Sequence, residues 1–150
     1  LITDKNDSMI MKGTSSWILL DIRERKPVQP SDLFPGYPVD PERSLEDNFD
    51  SIKMVEKPVY EKEFQVRRND LDMNRHVNNS IYTSWITETG EDLNEGKTLK
   101  DISMNFRGEA RYGESVISQA ECDNTGRNVI HRLILKGSGR EITRAVTSWE

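Results

Sequence analysis

A single cysteine, Cys122, in 150 residues rules out an intramolecular disulfide and any cysteine-rich metal centre. Histidine is almost as scarce. His76 and His131 alone make a catalytic zinc site, which takes about three converging protein ligands, improbable, so no metal is expected; no cofactor is expected either. No stretch approaches the ~20 consecutive apolar residues of a membrane span, and Leu1 to Asp7 does not read as a signal sequence. Basic charge is outweighed, 21 Lys and Arg against 26 Asp and Glu for a net charge of −5, and the two signs interleave. That argues against a nucleic-acid or membrane surface as partner. A reducing compartment fits the lone thiol. The chain opens on Leu1 rather than Met, so a preceding portion is expected.

Proline is missing from most of the chain because five of the six lie between Pro27 and Pro41. Proline fixes φ and removes a donor, so neither a helix interior nor a central strand passes through such spacing. This marks a linker, taken as residues 31–56, between a short segment (1–30) and a larger domain (57–150). In the first part, Asp4-Lys5-Asn6-Asp7 reads as a turn between short strands. Thr14 to Ile22 alternates well enough to be the second strand, with Trp17 and Leu19 on its other face. A two-stranded hairpin is marginal in water, so it is expected to lean on something outside this segment.

After the linker the pattern is fuller. Tyr60, Phe64 and Val66 alternate with polar residues to give a strand. Val77, Ile81, Trp85 and Thr89, widened by Tyr82 and Ile86, make the apolar stripe of a helix from about Val77 to Thr89, with Gly90 ending it. Further strands are predicted through Ile102, Met104 and Phe106, over Ser115 to Cys122, Asn128 to Lys136 and Arg140 to Trp149. The turns between them carry Arg111-Tyr112-Gly113, Asp123-Asn124-Thr125-Gly126 and Gly137-Ser138-Gly139. The fold class is therefore α+β, an antiparallel sheet with one helix on a face.

The densest chemistry lies in Asp72-Met73-Asn74-Arg75-His76-Val77-Asn78-Asn79, where an acid, amides and an imidazole open the helix. Unpaired backbone N–H groups and the positive end of the helix dipole can hold a carbonyl oxygen that gains charge. Carboxylate, amide and imidazole supply a proton acceptor, an orienting donor and a shuttle. Simpler readings stand beside this. Asn74, Asn78 or Asn79 also suits an N-cap, Asp72 an Asx-turn, and Glu109 a solvated acid at a strand end. His131, inside an apolar strand, reads as a core or edge histidine, and Tyr82 and Trp85 read as core.

The run Asp70-Leu71-Asp72-Met73-Asn74-Arg75-His76-Val77-Asn78-Asn79, followed by Tyr82 and Trp85, resembles the acyl-acyl-carrier-protein (acyl-ACP) thioesterases of plants and bacteria. Gly13 to Pro30, with Ser15-Ser16-Trp17 and Arg23-Glu24-Arg25, looks like the last hairpin of that family's first half. The resemblance implies a hotdog fold, a sheet wrapped around a central helix, here the second half of a double hotdog. It implies hydrolysis of fatty acyl-ACP to free fatty acid, with Asp72, Asn74, His76 and Glu109 as catalytic residues. Backbone N–H groups near Val77, Asn78 and Asn79 are expected to polarise the carbonyl, and Glu109 or Asp72 to deprotonate the attacking water. Family members from plants carry a cysteine after the glutamate. Here Ala110 stands in its place, which favours water over a thiol nucleophile. Acyl carrier protein is the implied partner, with Arg67, Arg68, Arg75, Arg107 and Arg111 as docking residues. A second hotdog half or a homodimer partner is expected to complete the site. The implied location is the bacterial cytoplasm, or the plastid for a plant protein. An acyl-CoA thioesterase of single-hotdog type and a non-catalytic module that binds acyl chains or ACP are the alternatives.

Overall fold

The computed structural model describes residues 2–21, 23–24, 26–36, 38, 42–123 and 127–150. Of the expectations above, Ile22, Arg25, part of the proline-rich linker (37 and 39–41) and the tip of the turn at 124–126 lie outside them. The chain divides into two compact units, Leu1–Asp50 and Ser51–Glu150, and each is described by itself.

In the first unit, β1 (Ile2–Thr3) pairs antiparallel with β2 (Met9–Met11). The expected turn joins them: Asp4 Oδ1 accepts the N–H groups of Asn6 and Ser8 at 2.8 and 2.9 Å. The strand expected over Thr14 to Ile22 shrinks to β3 (Leu19–Leu20), which pairs with β4 (Pro27–Val28). A strand persists only where a neighbour takes its backbone groups. Thr14 to Ile18 have no ladder among the described residues, and Trp17 is 81% exposed. Asp21 turns the chain between β3 and β4 by accepting the N–H groups of Arg23 and Glu24. Pro30 then opens a single turn, α1 (Pro30–Leu33), from the first helical position, where its missing N–H costs nothing.

The second unit holds β5 (Tyr60–Gln65), a 3-10 turn (Arg68–Asp70), α2 (Asn79–Leu93), β6 (Leu99–Phe106), β7 (Ser115–Cys122), β8 (Asn128–Leu135) and β9 (Glu141–Trp149). The five strands form one antiparallel sheet in the order β5-β7-β8-β9-β6. α2 lies on one face, burying Tyr82, Trp85, Ile86, Thr89 and Gly90 against β5, β7, β8 and β9. This is the stripe that the 3.6-residue spacing predicts. Phe64 stacks on Trp85 with ring centroids 5.2 Å apart, and Val66, Val116, Leu133, Ile142 and Ala145 complete that part of the core.

Gly90 does not end α2, which continues to Leu93. Its role is close approach: a Cβ there would sit 2.6 Å from Trp149 Cζ2. Glu88, an acid near the negative end of the helix dipole, finds its compensation across the layer. Lys62 Nζ lies 2.9 Å from Glu88 and 2.8 Å from Asp92, so one ammonium serves two carboxylates and the helix end. Those carboxylates hold the Lys62 ammonium protonated well above its ordinary range. The segment before β5 rides on the sheet as well. Glu121 Oε2 accepts the N–H groups of Glu56 and Lys57, Arg144 donates to the Ile52 carbonyl, and Val55 is buried.

Candidate active site

The turn that leads into α2 is organised by one carboxylate. Asp72 Oδ1 accepts the N–H groups of Asn74 at 2.8 Å and His76 at 3.1 Å. Its backbone closes the same loop, with Asp72 N–H donating to the His76 carbonyl and Arg75 N–H to the Asp72 carbonyl. Arg75 adopts φ 63°, a left-handed conformation that costs a side-chain-bearing residue ~1–2 kcal/mol. Four hydrogen bonds offset that strain. Their effect is to present the His76 imidazole from a rigid loop.

The other wall comes from the exit of β6. Val77 N–H donates to the Ala110 carbonyl at 3.0 Å, and His76 pairs with Arg111 in an isolated antiparallel bridge. Tyr82, one turn into α2, accepts the Ala110 N–H on its hydroxyl at 2.8 Å. Ala110 is thus held on both backbone groups, and its neighbour Glu109 is aimed at the loop. His76 Nε2 lies 3.2 Å from Glu109 Oε2. The imidazole is 27% exposed and the carboxylate 61%, so substrate and water reach both.

Among the predicted catalytic residues, His76 and Glu109 meet directly. Asp72 shapes the loop that carries His76. Asn74 gives its backbone N–H to that loop, and its side chain touches neither group among the described residues.

The predicted oxyanion donors need correction. Val77 N–H is taken by Ala110 and Asn78 N–H by the Asp70 carbonyl at 2.9 Å, so neither is free to hold a carbonyl oxygen. Asn78 is the N-cap, its Oδ1 accepting from Ser80 N–H at 3.0 Å and from the Ser80 hydroxyl at 2.9 Å. Of the three, Asn79 alone keeps a backbone N–H without an acceptor among the described residues, at the positive end of the helix.

Of the five predicted docking arginines, Arg67 is paired with buried Asp70 and Arg107 with Glu141. Arg68 lies 4.6 Å over the Tyr112 ring, and Arg75 and Arg111 are exposed. His131 is core: fully buried, with Nε2 2.8 Å from Thr147 Oγ1.

Two contributors were not read from sequence. Tyr82 reads as core from its spacing, although it also belongs to the residues that carry the family resemblance. A tyrosine within a buried stripe must still satisfy its hydroxyl, and that was the available signal. Burial pushes its phenol pKa up, which keeps it a neutral hydrogen-bonding group. Arg140, whose Nη2 donates to the Glu109 carbonyl at 3.1 Å, carries no sequence signal, because the hairpin that brings it there is a tertiary feature.

Comparison with known proteins identifies the family and the fold. Residues 54–150 match the family described as acyl-ACP thioesterase C-terminal domain. The oleoyl-acyl carrier protein thioesterase 1, chloroplastic, of Arabidopsis thaliana is 28% identical over 92% of this chain and 46% of its own length. The 12:0-ACP thioesterase from Umbellularia californica superposes with a TM-score of 0.69 at 25% identity, covering 87% of this chain and 52% of that one. An acyl-ACP thioesterase from Bacteroides thetaiotaomicron, 20% identical, shares the fold with a TM-score of 0.70 over 87% of this chain and 53% of that one. The chain spans about half the length of these relatives. The fold is the hotdog fold, and it fits one half of a double hotdog.

Proposed function

We propose that this chain, which belongs to the acyl-ACP thioesterase family and matches its C-terminal domain, carries the hydrolytic residues of an enzyme that cleaves fatty acyl-ACP to free fatty acid and ACP. The observation that carries this reading is the 3.2 Å contact between His76 Nε2 and Glu109 Oε2 beside the start of α2. The printed activities of the relatives support the substrate class.

Glu109 is the base in this reading. Asp72 spends Oδ1 on the Asn74 and His76 N–H groups, whereas the Glu109 carboxylate is open to solvent. Water attacks the thioester carbonyl carbon as Glu109 takes its proton. The carbonyl oxygen gains charge next to Asn79 N–H, and collapse of the tetrahedral intermediate breaks the C–S bond and expels a thiolate. A thiol of pKa near ~8.5 leaves without strong acid catalysis. His76 orients Glu109 and the water, and Asn74 lines the approach. Residues 1–30 are read as the closing hairpin of a first hotdog, 31–56 as linker and 57–150 as the second hotdog. The first half, or a second copy, completes the acyl tunnel. The chloroplastic location of the plant relatives suggests a plastid for a plant source, and a bacterial source places the chain in the cytoplasm. No helix among the described residues is long and apolar enough to cross a membrane.

The test is thiol release from acyl-ACP by the whole protein and its Glu109→Gln and His76→Ala variants. A placed general base contributes ~10²–10⁴ in rate, so Glu109→Gln should lower kcat by that order. Its exposure means that folding is unaffected. Full turnover in both variants removes the assignment. Equal hydrolysis of acyl-CoA and acyl-ACP instead favours the CoA-type alternative.

A further inference from the structure

An open cleft of about 710 Å³ lies on the far flank of the segment that carries Glu109. Four guanidinium groups line it, Arg107, Arg132, Arg140 and Arg144, against one carboxylate, Glu141. In a chain of net charge −5 this is a concentration of the minority sign. Glu141 Oε1 is shared between Arg144 Nε at 2.6 Å and Arg107 Nε at 3.0 Å. Arg132 Nε donates to Gln119 Oε1 at 2.6 Å and Arg140 to the Glu109 carbonyl at 3.1 Å, both neutral acceptors. Within the lining, Arg132 and Arg140 therefore stand without an anionic partner, and Arg107 and Arg144 share a single one.

Folding does not favour this arrangement. Arg132 on β8 and Arg144 on β9 are directly opposed cross-strand partners, both half-buried, and like charges so placed repel. An anion between them reverses the sign of that interaction. Guanidinium groups present paired donors that match the oxygens of a phosphate. The cleft also adjoins the backbone of the segment that carries the reacting carboxylate. Arg107 is two residues before Glu109, and Arg140 rests on the intervening backbone because Gly108 has no side chain; a Cβ there would lie 3.0 Å from Arg140 Nη1.

We propose that this cleft binds the phosphate at the end of the thiol arm whose thioester is hydrolysed at Glu109, an inference that rests on the function proposed above. Pantetheine-linked thioesters carry such a phosphate whether the arm is attached to a carrier protein or belongs to CoA.

The test compares acyl-ACP, acyl-CoA and the phosphate-free acyl-pantetheine as substrates of the whole protein and of its Arg132→Gln and Arg132→Lys variants. Calorimetric binding of free 4′-phosphopantetheine provides a readout independent of turnover. Hydrogen bonds between charged partners correspond to roughly tenfold to a hundredfold in affinity. Arg132→Gln should raise KM for both phosphorylated substrates by that factor relative to acyl-pantetheine, with kcat kept. Arg132→Lys, which retains charge and loses the fork, should fall between. A KM rise confined to acyl-ACP overturns the proposal, because the cleft then reads the carrier surface and not the phosphate. An equal change for all three substrates also overturns it. If the wild-type protein hydrolyses none of them yet binds 4′-phosphopantetheine through Arg132, the cleft stands and the proposed reaction falls.

Discussion

Acidification from pH 7 to pH 5 should destabilise the sheet domain through one buried imidazole. His131 has no solvent exposure, a single partner in Thr147, and an Nδ1 without a hydrogen bond. Burial lowers its pKa from 6.5 to about 4. The unfolded chain therefore takes up a proton near pH 6.5 that the folded chain refuses until about pH 4, so stability is complete above 6.5 and is lost as pH falls through this window. At ~1.4 kcal/mol for each pH unit, the loss is about 2 kcal/mol by pH 5 and about 3 kcal/mol by pH 4. That is a large share of the ~5–15 kcal/mol by which domains are stable.

Carboxylates held low by their partners act in a lower window. Glu121, bonded by the N–H groups of Lys57 and Glu56, and Asp92, bonded by Lys62, contribute stability that is lost only as pH falls below their ordinary values of 4.5 and 3.8. Urea midpoints at pH 7, 6 and 5 isolate the histidine. The wild-type domain should weaken between 7 and 5, and His131→Gln, less stable at pH 7, should show a flatter dependence. Parallel curves for the two proteins would falsify the assignment of the acid sensitivity to His131.

Gly90→Ala should destabilise the domain despite alanine's advantage of ~1 kcal/mol in a helix, because the added carbon meets Trp149 at 2.6 Å and overpacking costs ~1–3 kcal/mol. Thermal melts read the sign directly, and a rise in Tm contradicts it. Tyr82→Phe should cost ~1–3 kcal/mol, since it leaves the buried Ala110 N–H without an acceptor. It should also lower kcat more than it raises KM, because Glu109 loses the backbone clamp next to it; a loss of stability with kcat intact makes Tyr82 purely structural.

What the sequence disclosed follows from the range over which each interaction acts. The α2 stripe and the alternation in β5 to β9 are local periodicities, and the elements lie where those patterns put them. Gly90 looks like a helix end only because its reason lies 59 residues away in Trp149, invisible to local punctuation. Thr14 to Ile18 alternates like a strand, yet alternation cannot supply the neighbour that a ladder needs. At the site, the motif from Asp72 to Asn79 announced itself by its density, and Glu109 entered through family resemblance. Their meeting depends on Val77, Tyr82 and Ala110, three apolar-looking residues whose backbone and hydroxyl groups do the joining. The division of labour within the motif was equally hidden. Oxygen and N–H groups that look available in a sequence are consumed by the turn itself, Asp72 Oδ1 and the N–H groups of Val77 and Asn78 among them.

The same geometry favours water over a thiol as the nucleophile of the proposed reaction. The residue next to Glu109 is Ala110, fully buried and without reactive atoms. The chain's only thiol, Cys122, ends β7, while the other end of that strand, Ser115, follows the Arg111–Glu114 turn beside His76. Seven residue steps at ~3.3 Å separate the two ends by ~23 Å, far beyond any reach of the imidazole. Cys122 is exposed, so it can be alkylated in the folded protein. Iodoacetamide treatment, with labelling verified by mass, should leave acyl-ACP hydrolysis at its untreated rate, and Cys122→Ser should do the same. Abolition of turnover by both would mean that the thiol takes part in the reaction, and would overturn attack by water.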